Sequence, residues 1–167
     1  QWLIGIEIGG TKLQLGLGRP DGSLAGLERH RIDPARGAQG ILDTIVLAFR
    51  TILEREGIAA DEVAALGIGF GGPVDVENGR TQTSFQIQGW TDFPLADWVR
   101  STLGVPAVAI QNDADTAGLA EAIRGAGVGY SPVLYLTIGS GIGGAIIVDG
   151  RIYRGAGLGA GEIGHLE

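Results

Sequence analysis

Cysteine and methionine are both missing from this sequence, and histidine occurs only twice. Without cysteine the chain holds no disulfide and no thiolate metal site of its own. Without methionine, Gln1 is not an initiator, and a trimmed N-terminus is expected. Long apolar runs are missing too. Glycines and charges interrupt each one before the roughly 18 residues that a membrane helix needs, and no secretory leader is recognisable. Basic residues are scarce: 12 Lys and Arg stand against 19 Asp and Glu, a net charge of −7. That balance argues against non-specific binding to nucleic acid. Together these absences make a cytoplasmic protein, with no membrane and no nucleic-acid partner, the expectation. Glycine, by contrast, is abundant, 31 of 167 residues where about 7% is usual. The glycines gather at the ends of apolar runs, where backbone freedom is useful.

A chain of this length is long enough to bury a real core. Trp2 to Ile8 reads as a strand, Leu13 to Gly18 as its hairpin partner and Leu24 to Ile32 as a third strand. From Gly40 to Glu56, Ile41, Ile45, Ala48, Ile52 and Leu53 recur at helical spacing, and Gly57 stops that helix. Val63 to Phe70 is a buried strand running into Gly-Gly-Pro, Leu95 to Leu103 a short helix, and Val105 to Gln111 the next strand. The stretch NDADTAGLAEAIRG follows as a helix, ended by Gly125. Two further strands flank Gly139–Gly144, and Asp149-Gly150 makes a tight turn. Hairpins first and strand–helix alternation afterwards predict a mixed-sheet α/β fold rather than a doubly wound one.

Four stretches carry residues suited to chemistry. The first hairpin turn holds Gly9, Gly10, Thr11 and Lys12, with Glu7 just before it. It lacks the phosphate-loop spacing, and a strand rather than a helix follows, so it is no dinucleotide fingerprint. Glycine N–H groups, a hydroxyl and a lysine remain suitable donors for a phosphate, and Glu7 can hold a metal through water. The plainer alternative is a simple turn with a solvated lysine. The second turn, Gly139, Ser140 and Gly141, repeats the chemistry, its alternative being a bulged hairpin. Asn112 and Asp113 stand where a strand ends and a helix begins, the place where open α/β sheets bind ligands. One of the two suffices as a helix cap, which leaves Asp113 to offer its carboxylate to a substrate hydroxyl. Glu162 and His165 lie three apart near the end of the chain, able to bind sugar hydroxyls, with the histidine a potential zinc ligand. His30, in the third strand with no acidic context, reads as structural.

Taken in order, IGIEIGGTK, GFGGPVD, GW, NDADTAGLAE, TIGSGIGGAIIVDG and GEIGH resemble the ROK family. That family comprises bacterial sugar kinases such as glucokinase, hexosamine kinases and sugar-responsive repressors. The resemblance runs over essentially the whole chain and implies an actin-like, ribonuclease H-like ATPase fold. Residues 1–115 would be the N-terminal lobe and 116–167 the start of the second, nucleotide-binding lobe. It implies that Glu7, Gly9, Gly10, Thr11, Lys12, Gly139, Ser140 and Gly141 serve ATP and Mg²⁺, and that Asp113 is the catalytic base. Gly71, Gly72, Asn112, Asp113, Glu162 and His165 would hold a hexose, such as glucose or an N-acylhexosamine. His165 would also ligate zinc, with partners from beyond residue 167, and a homodimer is implied. Two positions depart from the family pattern: Glu7 stands where aspartate is usual, and the SFQIQGW stretch lacks the asparagine common near Gln86. The family's zinc loop and adenine pocket would lie beyond residue 167, so these residues alone are expected to lack turnover. The alternatives are the sensing domain of a sugar-responsive regulator and a non-catalytic fragment.

Overall fold

The computed structural model describes residues 1–84, 87–139 and 141–155. The chain divides into two compact units, Gln1–Asp113 and Ala114–Glu167.

The first unit is built on a five-stranded sheet. Strands β1 (Trp2–Ile8), β2 (Lys12–Gly18) and β3 (Leu24–Arg31) form an antiparallel meander, and β4 (Val63–Phe70) and β7 (Ala107–Asn112) add to it in parallel. The order is β3-β2-β1-β4-β7. Strict alternation explains why these runs are strands: Ile4, Ile6 and Ile8, then Leu13, Leu15 and Leu17, are all buried on one face. Helix α1 (Gly37–Glu56) brings Ile41, Ile45, Phe49, Ile52 and Leu53 into that same core. It ends at Gly57, whose left-handed φ of 66° closes the last turn. Helix α2 (Leu95–Leu103) adds Leu95, Val99 and Leu103 and stops at Gly104, again left-handed. Among the described residues no helix is long and apolar enough to cross a membrane.

Between β4 and α2 lies a short hairpin, β5 (Val74–Asp75) with β6 (Arg80–Thr81). Nothing in the residue pattern signals it, because strands of two residues have no periodicity to read. Two 3₁₀ turns, Pro34–Arg36 and Ala60–Glu62, precede α1 and β4. In the first, the Asp33 carboxylate accepts from the Ala35 N–H at 3.0 Å.

Helix α3 (Asp113–Arg124) starts on the last residue of the first unit, and the second unit holds the rest of it and a three-stranded antiparallel sheet. Its strands are β8 (Val133–Ile138), β9 (Ile142–Val148) and β10 (Arg151–Ile152). Gly118 of α3 lies so near the sheet that a Cβ there would come within 2.6 Å of the Ala145 Cβ. On β8, Leu134, Leu136 and Ile138 alternate outward and are at least half exposed, with Ile142 of β9 beside Ile138.

Candidate active site

The carboxyl ends of the parallel strands β1, β4 and β7 fall side by side, because Ile8 is in register with Phe70 and Phe70 with Asn112. Ligands of open α/β sheets bind at such ends. The first glycine turn leaves from β1, with the Gly9 N–H donating to the Lys12 carbonyl at 3.0 Å. Thr11 and Lys12 are exposed on it. Gly71, at the end of β4, donates its N–H to the Ile8 carbonyl at 2.7 Å. This bond draws the β4 end over the first turn.

Gly71 is the point where the pieces meet. A Cβ built on it would lie 3.1 Å from the Ile8 carbonyl oxygen, 3.3 Å from Asp113 Oδ2 and 3.4 Å from the Gly9 Cα. The carboxylate of Asp113 and the backbone of the glycine turn therefore converge on one residue that has no side chain. Gly72 is as crowded: a Cβ there would lie 2.9 Å from the Phe70 ring and 3.0 Å from the Thr83 carbonyl. Its carbonyl accepts from Asn112 Nδ2 at 3.3 Å. Asp113 is the first residue of α3, immediately after the last residue of β7, as the strand-to-helix junction predicts. Gly9, Gly71, Gly72, Asn112 and Asp113 thus come together, with Gly10, Thr11 and Lys12 on the same turn.

Glu7 lies one residue short of the β1 end. It accepts from Gln14 Nε2 at 2.7 Å, and Gln14 Oε1 in turn accepts from Arg29 Nε at 2.7 Å. The three are neighbours across β1, β2 and β3 in the sheet register. Sequence reasoning singled out Glu7 and missed Gln14 and Arg29, although counting back through a short hairpin turn places Gln14 opposite Glu7.

Thr81 was also missed. It is fully buried, the one polar or charged residue classed as buried among those described. Its hydroxyl donates to the Trp90 carbonyl at 2.5 Å. Nearby, Arg80 Nε donates to Asp92 Oδ1 at 2.6 Å and its Nη2 to the Asp92 carbonyl. The hydrogen bond from Arg80 holds the Asp92 carboxyl below its usual range, and the Asp92 bond raises Arg80 in turn. Asn78 likewise lowers Asp75 by hydrogen bonding to its carboxylate.

In the second unit the Gly139 N–H donates to the Gly141 carbonyl at 2.8 Å, closing the turn between β8 and β9. Ser140, Glu162 and His165, together with Gln86, lie outside the described residues. Among the described residues no cluster of three or more His, Cys, Asp or Glu side chains could hold a metal.

The expectation that His30 has no acidic context needs correcting. Its Nε2 lies 3.6 Å from Glu28 Oε2. Residues two apart in a strand share a face, so Glu28 was the neighbour to test. Arg55 engages Glu28 from α1, and the buried His30 Nε2 has no hydrogen-bond partner among the described residues.

Comparison with known proteins identifies the family. A family model, that of the ROK family, matches residues 3–167. A glucokinase of Halalkalibacterium halodurans is 32% identical over 168 residues, covering 99% of this chain and 50% of that protein. Among solved structures, a ROK family glucokinase from Streptomyces griseus, in complex with glucose and AMPPNP, superposes with a TM-score of 0.86 at 35% identity. That match covers 99% of this chain and 50% of the other. A putative N-acetylmannosamine kinase from Listeria monocytogenes superposes at 0.83 with 31% identity, covering 99% and 54%. The chain spans about half the length of the curated relatives it matches. Its fold is the actin-like ATPase fold of those glucokinases, and the chain belongs to the ROK family.

Proposed function

We propose that this chain is the base-carrying portion of an ATP-dependent sugar kinase that phosphorylates the 6-hydroxyl of a hexose, glucose or an N-acylhexosamine. The observation that carries the proposal is the meeting at Gly71, where the Asp113 carboxylate and the Gly9 backbone come within van der Waals reach of one Cβ position. Phosphoryl transfer asks chiefly for positioning and charge stabilisation. It needs a proton acceptor next to a phosphate-binding turn, and the closeness of Asp113 to the glycine turn supports assigning them those roles. The kinship with glucokinases, one of them solved with glucose and AMPPNP, supports the same reading.

In the reaction, the 6-hydroxyl oxygen attacks the γ-phosphorus of ATP as its proton passes to an Asp113 carboxylate oxygen. The bond from phosphorus to the β–γ bridging oxygen breaks, and ADP leaves with that electron pair. The donor set fits a nucleotide phosphate. Lys12 and Thr11 are exposed cationic and hydroxyl donors on a glycine turn. Mg²⁺ is held through one or two carboxylates plus phosphate oxygens, and Glu7, near the end of β1, is the carboxylate that would hold it through water. The ion would neutralise charge on the transferring phosphoryl group. Asn112, fixed to the Gly72 carbonyl, would orient the sugar beside the base. We further assign residues 1–115 to the N-terminal lobe and 116–167 to the start of the nucleotide-binding lobe, where Gly139 and Gly141 would form the second phosphate turn.

The test is ADP release from MgATP over a panel of hexoses, measured on the full-length protein that contains these residues. One or a few hexoses should support turnover. Asp113→Asn should lower kcat by roughly 10²–10⁴-fold, the usual worth of a general base. No turnover with any hexose, or an Asp113→Asn variant within threefold of the parent, would overturn the assignment.

A further inference from the structure

We propose that Thr81 is a positioning residue for the hexose pocket: its buried hydroxyl fastens the segment that follows it against Gly72 and Asn112. The proposal rests on the sugar-kinase reading above. Thr81 ends β6, and the chain then makes an excursion that returns at Phe93, where the two residues pair. The Thr81 N–H donates to the Phe93 carbonyl at 3.0 Å, and the Asp92 N–H to the Gln82 carbonyl at 3.2 Å. These bonds close the foot of the excursion. The Thr81 hydroxyl reaches further, to the Trp90 carbonyl at 2.5 Å.

That bond has no part in holding β6 itself, whose backbone is already paired. Valine would fill the same space at Thr81, so the hydroxyl is distinguished only by what it donates to. A buried hydroxyl is costly unless it is hydrogen-bonded, and here its bond sets where the chain turns back at Trp90. Trp90 is 1% exposed. Its ring meets the edges of Phe70 and Phe93, at centroid distances of 5.3 and 5.5 Å. Phe70 is the residue just before Gly71 and Gly72.

The segment bears directly on the site. The Gln82 N–H donates to the Pro73 carbonyl at 2.9 Å. The Thr83 carbonyl lies 3.0 Å from where a Gly72 Cβ would stand, and the Gly72 carbonyl accepts from Asn112. On its other side, the Gln88 carbonyl accepts from the Ala38 N–H at the start of α1, at 2.8 Å. Its described residues therefore stand against Gly72 and Pro73, with Gly72 in turn bonded to Asn112, and they are tied at Thr81 from the core and at Arg80 from the surface. Loosening the inner tie moves this segment, not the base. The expected consequence is weaker hexose binding with phosphate handling preserved.

The test compares Thr81→Val and Thr81→Ser with the parent in the full-length protein. Thr81→Val should raise the glucose KM, and the glucose Kd by calorimetry, roughly tenfold, the order expected for one buried hydrogen bond lost. The ATP KM should stay within twofold, and Thr81→Ser, which keeps the hydroxyl, should restore glucose affinity to within about threefold. Amide exchange of residues 87–92 should quicken in Thr81→Val while that of α1 beyond its first turn does not. If Thr81→Val does not fold, Arg80→Gln loosens the same segment from outside and should raise the glucose KM in the same direction. A glucose KM unchanged while only the melting temperature falls, or glucose and ATP KM rising together, would overturn the positioning role. Unchanged exchange at 87–92 would overturn the fastening itself. A parent that neither binds nor turns over any hexose would instead overturn the sugar-kinase reading, and with it the hexose role, leaving the exchange result to judge the fastening alone.

Discussion

Replacing Gly71 by alanine is the sharpest test of the convergence at the strand ends. The residue is not in the left-handed region, so an alanine there meets no backbone strain, only its neighbours. The new methyl carbon would sit 3.1 Å from the Ile8 carbonyl oxygen, 3.4 Å from the Gly9 Cα and 3.3 Å from Asp113 Oδ2. The contacts with the Ile8 oxygen and with Asp113 Oδ2 are a few tenths of an ångström tighter than a methyl group ordinarily accepts, and the Gly9 Cα is at ordinary contact distance. The Ile8 oxygen and the Gly9 Cα are backbone, held by the sheet and by the Gly71 N–H itself. The Asp113 carboxylate is the end of a side chain and yields most readily. A displacement of about 0.3 Å follows. A misplacement of about 1 Å costs on the order of 10²-fold in rate, so on a logarithmic scale 0.3 Å costs roughly fourfold. Gly71→Ala should therefore lower kcat about three- to fivefold at saturating hexose and MgATP, with a melting temperature close to the parent's. Gly67→Ala is the control, since a Cβ there meets nothing within 4 Å, and its kcat should match the parent's. A Gly71→Ala kcat equal to the parent's, or as low as that of Asp113→Asn, would refute the idea that Asp113 is set by contact over Gly71.

Three further outcomes are expected. Because Arg80 holds the Asp92 carboxyl below its ordinary value of about 4, the pair's contribution to stability is present above that value and is lost as pH falls through the lowered one. Asp92→Asn, which tolerates the φ of 49° found there, should narrow its denaturation gap to the parent as pH drops from 6 toward 2; a gap independent of pH would contradict the pairing. Gly57→Ala should destabilise the first unit by about 1 kcal/mol, since its φ is 66°; a denaturant midpoint at or above the parent's would contradict the left-handed cap. The row formed by Leu136, Ile138 and Ile142 should make the 167-residue chain bind the dye ANS, and Leu136→Ser with Ile138→Ser should lower that signal; unchanged fluorescence would place the dye elsewhere.

Much of the fold was written in local patterns. Alternating isoleucines in β1 and leucines in β2 announced two strands with one buried face, and β4, α2 and the β7–α3 junction followed from apolar spacing and glycine stops. The β5–β6 hairpin escaped because its strands are too short to carry a period, and its turn uses Gly79 at a φ of 67° inside an otherwise polar stretch. At the site, the glycine turn and Asp113 were individually visible as residues with unusual freedom or charge, while Gly71 and Gly72 came only from the resemblance to the family. Their meeting was not visible, because it depends on the parallel pairing of β1 with β4 and of β4 with β7, which no local pattern encodes. No local pattern marks Thr81, because its hydroxyl bonds the Trp90 carbonyl nine positions on.

The position of β7 has a consequence for how this protein fails. In the five-stranded sheet β7 pairs with β4 alone and forms its outer margin. The residues assigned to sugar orientation and proton transfer thus follow from a strand at the margin, while β1 and β2, which carry the glycine turn, are each paired on both sides. Opening of margins costs less than global unfolding. In rising urea, turnover should therefore disappear at a lower concentration than the circular dichroism of the sheet, and the interval between the two curves measures how loosely the margin is held.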